Sequence, residues 1–217
     1  MMHDVDPFNL ILLFVAMAFV PVMVVTMTCF LKLAIVLSIL RNALGVQQIP
    51  PNMAIYGLAL MLTVYVMAPV GTEIAGTLEK SKVSTSDVKA FMPELRNAAE
   101  PLRHFLVRNS RPEQRDFFLT TARRQWPPQY AAGAAHDDFM IVVPAFLVSE
   151  LTSGFEIGFL LFLPFIVIDL VVSNILMAMG MSMVSPVTLT LPLKLFLFVM
   201  IDGWSRLIHG IVQTYAT

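Results

Sequence analysis

The sequence predicts an all-α chain: two long, kinked hydrophobic helical hairpins with a helical soluble insert between them, as in a membrane assembly. Three observations carry this prediction. Of 217 residues, 57% are hydrophobic and 13% are charged, with a mean hydropathy of +0.76; a water-soluble domain of this length carries about a quarter charged residues. Four apolar runs (10–40, 53–74, 139 to about 177, and 189–212) reach the ~20 residues that cross a bilayer. A single strongly polar stretch, 79–138, separates the second run from the third. The chain therefore divides into an N-terminal hydrophobic hairpin (1–78), a soluble helical insert (79–138) and a C-terminal hydrophobic hairpin with a methionine-rich tip (139–217).

The chain opens Met1-Met2-His3-Asp4-Val5-Asp6-Pro7. A secretory signal starts on a basic segment, and this one is acidic, so the first apolar run is expected to belong to the mature protein. His3, Asp4 and Asp6 are expected to form a solvated terminus rather than a metal site. Cys29, the only cysteine, excludes an intrachain disulfide and cysteine-rich zinc sites; inside an apolar run it is expected to be a small buried hydrophobe. The formal net charge of −1 gives no electrostatic reason to expect a nucleic-acid partner.

In the insert, Ser110-Arg111-Pro112-Glu113 has the form of a capping box. It predicts a helix through Phe117, Phe118 and Ala122 that stops before Pro127-Pro128. An earlier helix is suggested by Ser86-Asp87 with Val88, Phe91 and Leu95, broken by Pro93 and Pro101. The insert carries ten Lys and Arg residues, but the positive-inside rule loses force for loops of about 60 residues, so topology stays open.

The second hairpin does not suit an ordinary polytopic protein. Its run 139–185 contains Glu150, Glu156 and Asp169 but no polar loop. As one helix it would be near 70 Å long (~1.5 Å per residue), over twice the hydrocarbon thickness. Pro21, Pro69, Pro144 and Pro164 lie inside apolar runs, where each is expected to kink or break a helix. Gly154 and Gly158 give a small-xxx-small spacing that lets helices approach closely. Two readings stand at this point: four kinked transmembrane helices, or bent helices buried against other protein.

The segment Met177-Ala178-Met179-Gly180-Met181-Ser182-Met183-Val184-Ser185-Pro186 is expected to be the hairpin tip, because Gly180 and Ser185-Pro186 are breakers. A tip that faces water is normally polar. This one is uncharged and holds Met177, Met179, Met181 and Met183 beside Ser182. It reads either as core or as a deformable apolar constriction around a pore.

Measured from Ser182, Asp169 lies 13 residues before the tip and Lys194 12 after it, each about 18–20 Å away in a helix. Glu156 and Arg206 match in the same way, 26 before and 24 after. Both couples are candidate ion pairs, within one hairpin or between copies, since unpaired buried charges are costly. Glu150 and Asp202 have no evident partner in the chain and are candidates for contacts with another subunit, as is Lys32.

No HExxH, Walker A or GxSxG motif occurs, and His3, His104, His136 and His209 are scattered. An intramembrane enzyme is a poor fit; no catalytic residue, metal or cofactor is expected. The bare residues leave two functional classes, a pore subunit and a solute transporter or ion channel acting on its own.

Three segments carry a resemblance: Phe30-Leu31-Lys32 with Leu40-Arg41-Asn42-Ala43-Leu44-Gly45 through Pro50-Pro51-Asn52; Pro144-Ala145-Phe146-Leu147-Val148-Ser149-Glu150 through Gly154-Phe155-Glu156-Ile157-Gly158-Phe159; and Pro192-Leu193-Lys194 with Asp202-Gly203-Trp204. In this order, with Asp169-Leu170-Val171-Val172-Ser173-Asn174 and the methionine tip, they resemble the SctR/FliP family of type III secretion. The wording is closer to the injectisome (Ysc-type) members than to flagellar ones. The resemblance implies a non-enzymatic, all-helical subunit of a homopentamer that joins SctS and SctT, with SctU and SctV nearby. It implies a helical cone in the inner membrane, largely on its periplasmic side, through which unfolded proteins are exported. The family's gasket loop maps to Met181-Ser182-Met183, and Ser182 departs from the methionine common at that position.

Overall fold

The computed structural model describes residues 7–46, 49–80, 93, 96–181 and 183–216. Among these, every regular element is an α-helix. In order they are α1 (Pro7–Met27), α2 (Phe30–Ala43), α3 (Asn52–Lys80), α4 (Glu100–Asn109), α5 (Pro112–Gln125), α6 (Pro128–Ala131), α7 (Phe139–Ala178), α8 (Pro186–Met200) and α9 (Gly203–Gln213). The chain forms two compact units, one of Met1–Cys29 with Thr72–Leu147, the other of Phe30–Gly71 with Val148–Thr217. This spatial division is distinct from the division by polarity at 78 and 138.

Two of the four apolar runs are not single helices. The first breaks at Thr28-Cys29, where the Thr28 hydroxyl donates to the Val24 carbonyl. The fourth bends by 63° between α8 and α9. Conversely, the prolines expected to kink or break helices do not break them: α1 continues through Pro21, α3 through Pro69, and α7 through both Pro144 and Pro164. Each proline deletes one donor from a ladder already nucleated on both sides, and propagation is cheap once a nucleus exists. The 40-residue α7 is therefore about 60 Å long. It and α3 are long and apolar enough to cross a membrane, yet only 11% and 17% of their most apolar windows are buried within the chain.

In the first unit, Leu119, Ala122, Ala134 and Ile141 form a small core against which Phe118 and Trp126 pack. Phe105 and Phe146 add a tilted ring pair with centroids 5.8 Å apart. The helix predicted after Ser110 is α5, and it ends before Pro127-Pro128 as expected. The capping box, however, does not form. Arg111 precedes the helix without a side-chain cap, and the Ser110 hydroxyl donates instead to the Val107 carbonyl at 3.1 Å. Arg115 accounts for this, since its Nη1 donates to Val107 O, Ser110 O and Ser110 Oγ at 2.6, 2.7 and 2.8 Å. A charge-assisted donor takes the serine away from the helix N-terminus. Pro101 starts α4 in its first turn, where its missing N–H costs nothing. The earlier helix suggested by Ser86, Asp87, Val88, Phe91 and Leu95 lies outside the described residues, as do His3, Asp4 and Asp6.

The second unit is organised around α2. Leu33, Val36, Leu37 and Leu40 are almost wholly buried. The glycine notch on α7 receives this helix. A Cβ built on Gly154 would lie 3.4 Å from Ile35 Cγ2 and 3.5 Å from the Lys32 Cα, and one on Gly158 would overlap the end of Ile39. The close approach foreseen for Gly154 and Gly158 is thus made to α2 of the same chain.

The elbow between α8 and α9 explains the Asp202-Gly203-Trp204 motif. Asp202 adopts φ +53°, a left-handed conformation that few non-glycine residues tolerate. Its side chain accepts a hydrogen bond from the Ser205 hydroxyl at 3.0 Å. Phe198 lies over Gly203 and meets Trp204 edge-on at 5.5 Å, leaving no room for a Cβ at position 203. Gly203→Ala is expected to cost about 1–3 kcal/mol through overpacking, whereas Gly154→Ala, in ordinary contact distance, is expected to be nearly neutral. Thermal unfolding of the detergent-solubilised protein checks the contrast, and Phe198→Leu in the Gly203→Ala background should recover part of the loss.

Candidate functional site

The charges picked out from the sequence fall into three groups in the second unit. The first is a buried network. Lys32 Nζ lies 2.9 Å from Glu150 Oε1, with both side chains almost completely shielded. The Tyr215 hydroxyl donates to Glu150 Oε2, and Lys32 Nζ stands 4.1 Å above the Tyr215 ring and 3.5 Å from Thr214 Oγ1. Glu150 therefore does have a partner in the chain, contrary to expectation, and Lys32 is that partner. Three binding modes converge on one ammonium: an ion pair, a hydroxyl and an aromatic face.

Tyr215 and Thr214 were missed by sequence reasoning, although a signal for one of them was present. Glu150 lies 32 residues before Ser182 and Tyr215 33 after it. The depth rule that matched Asp169 with Lys194 would have matched these two, had a phenol been counted among the partners of a carboxylate.

The second group is the pair expected from that rule. Lys194 Nζ lies 2.6 Å from Asp169 Oδ2 and also donates to the Ala43 carbonyl at 3.2 Å. Lys194 is buried while Asp169 stays partly exposed. The ammonium thus closes the C-terminal end of α2, where carbonyls lack helical partners and a cation is favoured. The residue two beyond it, Gly45, has φ +79°.

The third group is not brought together. Glu156, Asp202 and Arg206 are exposed on the chain rather than buried, and among the described residues no ion pair joins Glu156 to Arg206. The packing stripes decide this. Gly154 and Gly158 define the buried face of α7, and Gly203, Leu207 and Ile211 that of α9, so residues 156 and 206 fall off both stripes. Asp202 is satisfied locally by Ser205.

The methionine tip has a defined turn. α7 ends at Ala178, Gly180 has φ +74°, and its N–H donates to Met177 O at 3.1 Å while the Met181 N–H donates to Leu176 O at 3.0 Å. This is the doubled helix-closing arrangement that requires a left-handed residue, which glycine supplies without strain. α8 then starts at Pro186 behind Ser185. Met177, Met179, Met181 and Met183 are all exposed, Met183 completely, so on the chain itself they are not core. Ser182 lies outside the described residues.

Removing one member of the shielded pair leaves a buried charge unpartnered. Glu150→Ala is expected to destabilise by about 3–5 kcal/mol and Tyr215→Phe by about 1–2 kcal/mol, while Lys32→Met with Glu150→Leu should recover much of the former. Asp169→Asn should cost less than Glu150→Ala, because water reaches Asp169. A double-mutant cycle on thermal unfolding measures each coupling, and additive losses for Lys32 and Glu150 would contradict this ordering.

The arrangement holds no catalytic constellation among the described residues; it offers internally paired charges and an exposed apolar tip. Known proteins share the sequence that builds it. The FliP family model matches residues 13–211, which include both ion pairs, the elbow and the tip. The chain is 51% identical over 210 residues to Yop proteins translocation protein R of Yersinia pestis, covering 97% of each chain. It is 44% identical over 210 residues to harpin secretion protein HrcR of Erwinia amylovora, again covering 97% of each. With virulence protein YscR of Salmonella typhimurium it shares 43% identity over 212 residues, 97% of this chain and 98% of that one. At such identity over nearly the whole length, the chain belongs to the FliP family.

Proposed function

We propose that this chain is a pore-forming subunit of the export gate of a bacterial type III secretion system, without enzymatic activity. Copies of it form a homopentamer that joins SctS and SctT in the inner membrane, with SctU and SctV nearby and most of the cone on the periplasmic side. Unfolded proteins pass along its axis. Family membership supports the system, and the names of the relatives, which speak of translocation and secretion, support the export role.

The observation that carries the gate is the tip. Four thioethers stand exposed on a turn closed by its own backbone, in a segment with no charge. In a ring of copies the tips of Met177, Met179, Met181, Ser182 and Met183 meet at the axis. An apolar constriction there excludes water and ions by dewetting, and three rotatable bonds per methionine let it deform around a passing chain.

Replacing Met181 and Met183 with Ala is expected to leave assembly intact, raise ion leak through the closed complex, and reduce secretion less than leak rises. Met183→Asp, which hydrates the constriction, should leak more. Conductance of purified complex in planar bilayers, beside secretion from cells, gives both readings; lost assembly with unchanged leak would show that these methionines serve packing. A transporter or channel acting alone makes a different prediction. Native mass spectrometry from mild detergent should show an obligate oligomer with two small hydrophobic partners, and a folded wild-type monomer would favour the transporter.

A further inference from the structure

The 63° elbow between α8 and α9 opens an apolar cavity of about 420 Å³ against α7 and α2, within the size range of small-molecule sites. Its walls include Leu161, Phe165, Leu197, Phe198 and Leu207, and among the described residues the only charged one lining it is Arg206. Arg206 is exposed, and among the described residues no carboxylate pairs with it. Gly210 also lines the cavity, and a Cβ added there meets nothing within 4 Å, so the wall has space at that point. The helices that build the elbow pass together as an apolar segment able to cross a membrane.

We propose that this cavity binds one acyl chain of an anionic phospholipid, with the Arg206 guanidinium holding the phosphate. The inference goes beyond the gate reading and does not depend on it. A site that is apolar in depth and cationic at one point matches a ligand that is apolar along its length and anionic at one end. Guanidinium is suited to this because its planar fork binds phosphate oxygens in pairs and sheds water more readily than an ammonium. Basic pockets between apolar helices recognise anionic headgroups on the same grounds.

The test uses the complex purified from cells in mild detergent and exchanged into mixed micelles containing either phosphatidylglycerol or phosphatidylcholine with identical tails. Native mass spectrometry counts the lipid retained per copy of this chain. The wild type is expected to retain one phosphatidylglycerol per copy, with at least about tenfold preference over phosphatidylcholine. Arg206→Gln should abolish the preference while leaving weak retention of both lipids. Gly210→Leu, which extends into open space, should remove retention of both without changing the oligomer. Equal retention of the two lipids by the wild type, or phosphatidylglycerol retention unchanged by Gly210→Leu, would overturn the proposal, because the lipid would then be unselective or held elsewhere.

Discussion

The register of α2 on α7 is the constraint from which the second unit follows, and a buried charge sets it. Lys32 faces Glu150, Ile35 and the Lys32 backbone face Gly154, and Ile39 faces Gly158, so the two helices advance in parallel in matched steps. A slip of one turn would strand an ammonium in apolar surroundings and drive either Ile35 against Glu150 or Ile39 against Phe162. Both faults cost several kcal/mol or force repacking. Apolar contacts alone would not discriminate so sharply, because the leucines and valines of α2 are nearly interchangeable in volume. Tyr215 extends the same control to the C-terminal end of α9, and Lys194 extends it to α8 by holding the Ala43 carbonyl at the end of α2.

Little of this chain's apolar surface is used by the chain itself. On α3, Met53, Tyr56, Leu60, Met61, Val64 and Tyr65 are exposed, and on α7 so are Phe155, Phe159, Leu160, Val167 and Val171. Apolar patches of this extent mark membrane or protein contact. The charges that the packing leaves outside, Glu156 and Arg206, sit on the same helices whose inner faces are paired and closed. The chain therefore separates two tasks: opposite charges settle its own register internally, while apolar faces are left for what surrounds it.

Composition and run length made the helical class legible, and depth counting from the tip found the bond between Asp169 and Lys194. The same counting failed for Glu156 and Arg206. It measures depth along a helix and not the face that a residue occupies, and both residues lie off the buried stripes of α7 and α9. Helix faces then decide which charges turn inward. Pro144 and Pro164 do not break α7, since local propensity says nothing of the long ladder on either side of them. Lys32 and Glu150, 118 residues apart, carry no periodic signal that links them, and only the fold reveals that link. Ser110 shows the smallest version of this limit: a correct local motif lost its serine to an arginine five residues on.

The turn at Gly180 has a consequence for how such a chain can change over generations. It is fastened by main-chain groups, Gly180 to Met177 and Met181 to Leu176, while Met177, Met179, Met181 and Met183 stand exposed. Substitutions at 181 and 183 are thereby uncoupled from folding, whereas one at 180 is not. Selection can tune the breadth, softness and wetness of this tip one residue at a time, without renegotiating the helices beneath it.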